Sequence, residues 1–237
     1  MPLPIYLAMT AAELRQNRPK SNEIAWMACH FSPYGTGISN CPKTLPPGAM
    51  LILNDRTPVC GHDPELVAEQ MKELAECFEC SRVLLDLQRP GEANTAAIVE
   101  AVLQALPCPV GVSECYANGA SCPVFLPPVP LLMPLELYLA SWQNREVWLE
   151  IAPSAGNFRI TEQGCQQLPI SFGDKRVIHK EEKLYCQYSM EASEDAVVFS
   201  IERSRDDLHS LRIAAEALGV TCLIGLYQEL GDFQTKG

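Results

Sequence analysis

The chain has 237 residues, of which 47% are hydrophobic and 20% charged, so it is a folded globular protein rather than a disordered one. Its net charge of −11 repels nucleic-acid backbones and anionic membrane surfaces, and we expect no partner of either class. The sequence shows no signal-peptide pattern and no apolar run near 18 residues, which predicts a cytoplasmic protein of the bacterial type.

The 11 cysteines are expected to be mostly free thiols in a reducing compartment. Cys77 and Cys80 form a Cys-x-x-Cys pair, but no second pair of cysteine or histidine ligands follows it with matching spacing. A redox pair would open a helix after a strand, whereas this pair closes a helical segment. The pattern therefore favours structural thiols, and we expect neither a metal nor a cofactor.

Strand and helix patterns alternate through the first half of the chain. The apolar runs that predict strands cover residues 24–31, 49–55, 83–87 and 109–113. The helices predicted between them cover residues 64–78 and 94–106. The first of these helices has Asp63 as its N-cap and Pro64 at its first position.

Prolines interrupt the middle of the chain at positions 123, 127, 128, 130 and 134. A full helix is not expected before Pro134, because proline breaks the backbone hydrogen bonds of a helix interior. The elements predicted beyond it are a short helix at 135–142, a strand at 146–152, a short strand and helix within 159–168, strands near 183–189 and 196–201, a helix at 205–218 and a last strand at 221–226. The last helix starts at a capping box of Ser204 and Asp207 and stops at Gly219.

These elements give about eight strands, and the strands are continuously apolar, as expected when both faces of a parallel sheet are buried. We predict an α/β fold, a TIM-type (β/α)8 barrel forming one domain over residues 1–237, with the proline-rich segment in place of one helix. A doubly wound open sheet is the alternative. No glycine-rich phosphate turn follows any strand, which disfavours a nucleotide-binding version of that sheet.

The carboxyl ends of barrel strands are where active-site side chains gather. Polar side chains at these ends are His30, Asn54, Asp55, Arg56, Asp86, Gln88, Arg89, Glu114, Tyr116, Glu150 and Glu229. Because side chains alternate along a strand, Asp86 and Gln88 share a face with Leu84. An inward carboxylate is costly to bury alone, so Asp86 needs a cationic or hydrogen-bonding neighbour such as Arg56.

Each of these residues also has a purely structural interpretation. Strand-end polar groups often only solvate the rim of a barrel, His30 fits a hydrogen-bonded core position, and Asp55 and Arg56 suit a pair with each other. The aromatic side chains of Tyr116, Tyr227 and Trp26 are candidates for a surface on which a sugar stacks, with packing against the core as the alternative.

The stretch Leu85-Asp86-Leu87-Gln88-Arg89-Pro90-Gly91 follows a predicted helix, and the run from Leu211 to Asp232 combines a helix with the last strand. Both stretches resemble the family 18 glycoside hydrolases, the chitinase-like barrels. The first resembles their fourth-strand motif, Asp-x-x-Asp-x-Asp-x-Glu followed by an aromatic residue and then Pro-Gly. The second resembles their closing helix and strand.

The resemblance places the family's last aspartate on Asp86 and its catalytic glutamate on Gln88, and the first two aspartates on Ser81 and Leu84. In that family the glutamate protonates the leaving oxygen while the substrate's acetamido group, held by the aspartate, attacks. A glutamine has no acidic proton, so the standard mechanism is expected to fail, with a loss of roughly 10²–10⁴-fold. The family's last-strand tryptophan falls near Leu226 or Tyr227, and its Tyr-Asp pair from the sixth strand has no match.

Three hypotheses follow. The leading one is a pseudoenzyme that binds a carbohydrate or another small polar ligand at the strand ends, through His30, Asn54, Asp55, Arg56, Gln88, Tyr116 and Tyr227. The second is an active glycosidase using Asp86 with Glu114 or Glu150, whose separation would be about 5–5.5 Å for retention and about 6.5–9.5 Å for inversion. The third is a non-enzymatic scaffold protein with the proline-rich segment 123–134 as its binding edge.

Overall fold

The computed structural model describes residues 3–16, 23–59, 61–89, 91, 94–117, 121–169, 178–193 and 195–231. The strands in chain order are β1 Ile5–Met9, β2 Ile24–Phe31, β3 Ile38–Ser39, β4 Met50–Asn54, β5 Arg82–Asp86, β6 Val110–Ser113, β7 Val124–Leu126, β8 Val147–Glu150, β9 Ser154–Thr161, β10 Gly164–Gln167, β11 His179–Glu181, β12 Cys186–Ala192, β13 Val197–Arg203 and β14 Val220–Leu226. The helices are α1 Ala11–Gln16, α2 Pro64–Cys77, α3 Thr95–Ala105, α4 Leu135–Leu139, α5 Arg205–Ala217 and α6 Tyr227–Leu230.

Eight of these strands form a closed parallel barrel in the order β1-β14-β8-β7-β6-β5-β4-β2, and the pairing of β1 with β2 closes it. The short strand β3 adds to the outside of β2 in antiparallel fashion. The prediction of a TIM-type (β/α)8 barrel is confirmed. Fewer than eight helices accompany the strands in the described part of the chain, and no full helix separates β6 from β7.

The barrel interior is an apolar core. Its buried side chains are Tyr6, Ala8, Ala25, Met50, Ile52, Leu84, Phe125, Trp148, Cys222 and Ile224. Trp148 is fully buried there, and a Cβ atom added at Gly111 would lie 2.3 Å from the Trp148 ring. Position 111 therefore accepts only glycine without displacing the indole. A second and larger apolar core fills the space between the outer faces of the strands and the helices.

A five-stranded antiparallel sheet, in the order β10-β9-β13-β12-β11, is inserted between β8 and α5. The strands predicted near residues 183–189 and 196–201 belong to this sheet and not to the barrel. Segment 159–168 forms parts of β9 and β10 rather than a strand and a helix. The predicted total of about eight strands therefore includes strands of the inserted sheet in place of β1 and β7, two barrel strands that the sequence patterns did not predict.

The predicted helices are present except for the one expected within 159–168, and α2 and α5 have the predicted N-caps. The Asp63 side chain accepts a hydrogen bond from the Glu65 N–H at the start of α2, and Pro64 takes the first position. A capping box of Ser204 and Asp207 opens α5. The helix predicted at 135–142 divides into α4 and a 3₁₀ turn, Ala140–Trp142. None of the described helices has the length and apolar character needed to cross a membrane.

Candidate active site at the barrel mouth

Asp86 and Glu150 are the last residues of β5 and β8, at the mouth formed by the carboxyl ends of the barrel strands. Two residues earlier on each strand, Leu84 and Trp148 point into the apolar interior. Because alternate side chains share a face, Asp86 and Glu150 also point inward, above that core. The mouth therefore places two carboxyl groups over an apolar floor.

Asp86 is held by an amide rather than by a cation. Burial raises the pKa of Asp86, and the Asp55 carboxylate raises it further, while hydrogen bonds from Gln88 and Ser113 oppose this shift. Gln88 Nε2 donates to Asp86 Oδ1 at 3.0 Å. The expected hydrogen-bonding neighbour of Asp86 is thus Gln88 together with Ser113, whereas Arg56 is an exposed residue.

Glu150 is the most strongly perturbed carboxyl group of the mouth. Burial raises its pKa to about 7, and the charges of Asp86 and Glu229 add to the shift. A carboxyl group with such a pKa is protonated in a substantial fraction of molecules at neutral pH, as a general acid must be. Glu229 lies in α6, and its Oε2 is buried without a hydrogen-bond partner.

Tyr138 brings a phenol to the same region. Its hydroxyl donates to the Pro127 carbonyl at 2.9 Å, and burial raises its pKa, with the charges of Glu114 and Glu150 adding to the effect. Glu114 itself is exposed on the 3₁₀ turn that follows β6. The electrostatic partner of Asp86 among the two proposed carboxylates is Glu150.

The side chains at the ends of β2 and β4 are bound within the protein. The His30 ring donates through Nδ1 to the Phe31 carbonyl at 2.8 Å and accepts at Nε2 from Asn40 Nδ2 at 2.9 Å. Asn54, paired in register with Asp86, donates to the Met27 carbonyl at 3.0 Å. The buried Asp55 carboxylate accepts the Arg89 backbone N–H at 2.7 Å. The structure thus gives His30, Asn54 and Asp55 positions that support the rim.

The aromatic candidates pack against the outer core. Tyr116 and Tyr227 are half-buried and pack against the outer core, and the Tyr116 hydroxyl donates to the Arg89 carbonyl. Trp26 is buried on the outer side of β2, where its Nε1 donates to the Asn40 carbonyl at 3.1 Å. Trp26 is therefore outside the mouth. Arg56 accepts a hydrogen bond from Arg89 Nη2 at its carbonyl oxygen, 3.1 Å away.

Two contributors to the mouth were missed at the sequence level, Ser113 and Tyr138. Ser113 is the last residue of β6, one position before the predicted strand-end residue Glu114. Tyr138 lies on α4, which follows the proline-rich segment, and no strand-end pattern points to it. Glu229 was noted as a strand-end residue but was not given a role. Among the described residues, no three His, Cys, Asp or Glu side chains are close enough to hold a metal ion.

The first two motif positions depart from the glycosidase pattern in an informative way. Leu84 is 1% exposed and lies directly below Asp86 in the apolar interior. Ser81 precedes β5 at the opposite end of the barrel, where its hydroxyl donates to the Gly48 carbonyl at 2.6 Å. Asp86 consequently has no second carboxylate beneath it on its own strand. Pro90, part of the same stretch, and Asp232 lie outside the described residues.

No protein-family profile matches the sequence, and a search of curated proteins found no significant match. Solved structures do match. A spore cortex-lytic enzyme, SleL, from Bacillus megaterium QM B1551 superimposes with a TM-score of 0.55 at 9% identity, covering 94% of this chain and 70% of that one. A chitinase from Chromobacterium violaceum ATCC 12472 gives 0.55 at 8% identity, with coverage of 94% and 93%.

A glycoside hydrolase family 18 N-acetylglucosaminidase from Paenibacillus barengoltzii gives a TM-score of 0.57 at 7% identity, covering 94% of both chains. At such identities the likeness is one of fold. The chain has a glycoside-hydrolase-like barrel, and its distant resemblance to family 18 is confirmed at that level. The fourth barrel strand, counted from β1, is β5, so the stretch around Asp86 occupies the strand on which the motif was expected.

Proposed function

We propose that this chain binds a carbohydrate at the mouth of its barrel without performing standard family 18 hydrolysis. The observation that carries the proposal is the 3.0 Å hydrogen bond from Gln88 Nε2 to Asp86 Oδ1. It places an amide, which has no acidic proton, beside the carboxyl group that corresponds to the aspartate of the motif. Asp86 and Gln88 still offer hydrogen-bond donors and acceptors to sugar hydroxyl or acetamido groups.

The charge of the mouth defines the class of sugar. Asp86 interacts electrostatically with Asp55 and Glu150, and Glu150 with Glu229. These acidic groups repel an anionic saccharide such as a uronic acid polymer, because the repulsion acts at close range in a half-buried site. A neutral N-acetylated oligosaccharide, or an amino sugar, is the ligand class that the proposal favours.

Calorimetry with neutral chito-oligosaccharides and with uronic acid oligosaccharides tests this function. We expect binding of the neutral series, and we expect Asp86→Ala to weaken it by about 10–100-fold, because hydrogen bonds to charged groups contribute about 1.5–3 kcal/mol. Asp195→Ala is the matched control. It removes the same charge, and Asp195 is exposed in the region of the inserted sheet. Absence of binding at millimolar ligand, or equal effects of the two substitutions, would refute the proposal.

A second candidate function rests on Glu150. Its pKa of about 7 and its electrostatic contact with Asp86 suit a glycosidase in which Glu150 protonates the leaving oxygen and Asp86 serves as the second carboxyl group. Environments that push the pKa values of two carboxyl groups apart are the usual basis of such a division of roles. In this version Gln88 acts only in substrate binding.

The pH profile of hydrolysis tests the second candidate. Turnover of an aryl β-N-acetylglucosaminide is expected to fall as pH rises through about 7, because Glu150 then loses the proton it must donate. The free energy of unfolding should also fall, but at lower pH, as the pH rises from the ordinary pKa of 4.5 to about 7, by about 1.4 kcal/mol for each pH unit of that interval. Glu150→Gln should abolish turnover and remove the part of the pH dependence of stability that Glu150 contributes. Wild-type protein that binds the sugar but shows no turnover at pH 5 rejects this candidate and leaves the first.

A further inference from the structure

A cavity of about 780 Å³ lies on the outer wall of the barrel, between α1, β2 and the loop that follows β3. Its walls include the indole of Trp26, the cationic side chains of Arg15 and Lys43, and the thiol-bearing residue Cys41. Cys41 is exposed. The cavity thus combines an accessible sulfur with two positive charges and an apolar wall, none of which belongs to the barrel mouth.

A second thiol lies directly behind Cys41. Cys29, on β2, is completely buried, and the two thiols are hydrogen bonded to each other. Asn40 holds the loop in place, since its carbonyl accepts the Trp26 Nε1–H at 3.1 Å and lies 3.9 Å from Cys29 Sγ. Asn40 has φ of 56°, a left-handed conformation that asparagine tolerates better than most residues. This turn keeps Cys41 against Cys29.

We propose that Cys41 and Cys29 form a thiol–disulfide exchange site whose substrate is a small anionic disulfide of the oxidised-glutathione class. Cys41 is the attacking thiol, and Cys29 is the resolving thiol. Arg15 and Lys43 attract the carboxylates of the disulfide, because both cations line the cavity into which it must enter. The site is independent of the carbohydrate-binding proposal.

The reaction consists of two exchanges. The Cys41 thiolate attacks one sulfur of the small disulfide R–S–S–R, forming a Cys41–S–S–R bond and releasing R–S⁻, which takes up a proton from solvent. Cys29 then attacks the Cys41 sulfur and passes its proton to the leaving sulfur, forming the Cys29–Cys41 disulfide and expelling the second thiol, R–SH. The two protein thiols are oxidised by two electrons, and the small disulfide is reduced to two thiols.

The electrostatics of the pair assign the two roles. The hydrogen bond from Cys29 lowers the pKa of Cys41 to about 7, against the opposing effect of burial. The same hydrogen bond, together with burial, raises the pKa of Cys29. Cys41 is therefore present as thiolate at neutral pH in a larger fraction of molecules than an ordinary cysteine. The exposed Cys41 thiol is therefore activated as the nucleophile, whereas the buried Cys29 stays protonated until the mixed disulfide has formed.

Disulfide mapping of the wild-type protein tests the proposal without any substitution. Reduced protein is treated with oxidised glutathione at pH 7, quenched by alkylation and analysed by peptide mass spectrometry. We expect Cys41 to react at least about 3-fold faster than Cys165, the exposed thiol on β10, and the Cys29–Cys41 disulfide to follow. Equal rates at Cys41 and Cys165, or the absence of a Cys29–Cys41 disulfide, would overturn it.

Two further comparisons separate the roles. In Cys29→Ser the mixed disulfide on Cys41 should persist, because no thiol remains to resolve it; its disappearance at the wild-type rate contradicts the assignment. The double variant Arg15→Gln, Lys43→Gln should slow the reaction with oxidised glutathione several-fold but not the reaction with cystamine, a dicationic disulfide. An equal effect on both reagents rejects the anionic substrate class.

Discussion

Gln88→Glu is expected to create hydrolysis of N-acetylated chito-oligosaccharides, about 10²–10⁴-fold above the wild-type level. The substitution restores a carboxyl group at the position that resembles the family's acid, with almost no change in side-chain shape. The new group would lie beside Asp86, where Gln88 Nε2 now donates at 3.0 Å. Repulsion from the Asp86 carboxylate raises the pKa of the introduced glutamate and keeps it protonated, as a general acid requires.

The design of this experiment excludes trivial explanations. Gln88 is exposed, so the substitution should leave the unfolding temperature almost unchanged. Gln166→Glu, which makes the same charge change at an exposed position of β10, is the matched control. Adding Asp86→Asn to Gln88→Glu should remove the gained activity. A folded Gln88→Glu protein that binds sugar with no gain in turnover contradicts an otherwise intact site.

Arg203→Met is expected to lower the free energy of unfolding by about 3–5 kcal/mol. Arg203 is 1% exposed, yet no carboxylate accepts its guanidinium hydrogen bonds in the described structure. It donates to the Leu184 carbonyl at 3.0 Å, to the Tyr185 carbonyl at 3.2 Å and to the Val129 carbonyl. Each buried carbonyl left without a donor costs about 1–3 kcal/mol, and methionine satisfies none of them.

Urea unfolding measures this effect. Arg159→Met removes the same charge from an exposed position of β9, and its expected cost is below about 0.5 kcal/mol. Arg203→Lys should fall between the two, since an ammonium group supplies donors without the planar fork of the guanidinium. Similar midpoints for Arg203→Met and Arg159→Met would show that the carbonyl contacts contribute little.

The barrel was predictable because its strongest strands follow a simple rule. β2, β4 and β5 are continuous apolar runs bounded by turns. Such runs predict a buried strand whichever strands they pair with. The two missed strands escape this rule for different reasons. β7 has three residues between prolines, and β1 follows the proline-containing start of the chain. A strand as short as β7 takes its structure from the strands it pairs with rather than from its own sequence.

The inserted sheet misled the sequence interpretation for a different reason. β12 and β13 contain enough apolar residues to resemble barrel strands, although most of their positions remain partly exposed. Period and composition do not reveal the direction in which a strand runs, so antiparallel strands were counted as members of a parallel barrel. The direction is fixed by partners that are distant in sequence.

The mouth was predictable as a location but not as an arrangement. Asp86 and Glu150 could be predicted because each ends an apolar strand. Alternate side chains of a strand share a face, so both carboxyl groups point inward. The pKa of Glu150, by contrast, depends on burial and on the charges of Asp86 and Glu229. These charges come together only when the ends of β5 and β8 meet helix α6 in the folded protein. The Gln88–Asp86 contact, a local one, was accessible from spacing alone.

The inserted sheet has a consequence for how the barrel is completed. Ser154 and Arg203, the first residue of β9 and the last of β13, are partners in register, so the insertion leaves and re-enters the barrel at neighbouring points. The entropic cost of joining β8 to β14 grows with the length of free chain between them, by about 0.6 kcal/mol for each doubling. Once its local antiparallel pairs form, the sheet shortens that free chain to little more than α5 and its flanking residues. The insertion lengthens the polypeptide, but after it has folded it lowers the entropic cost of pairing β8 with β14.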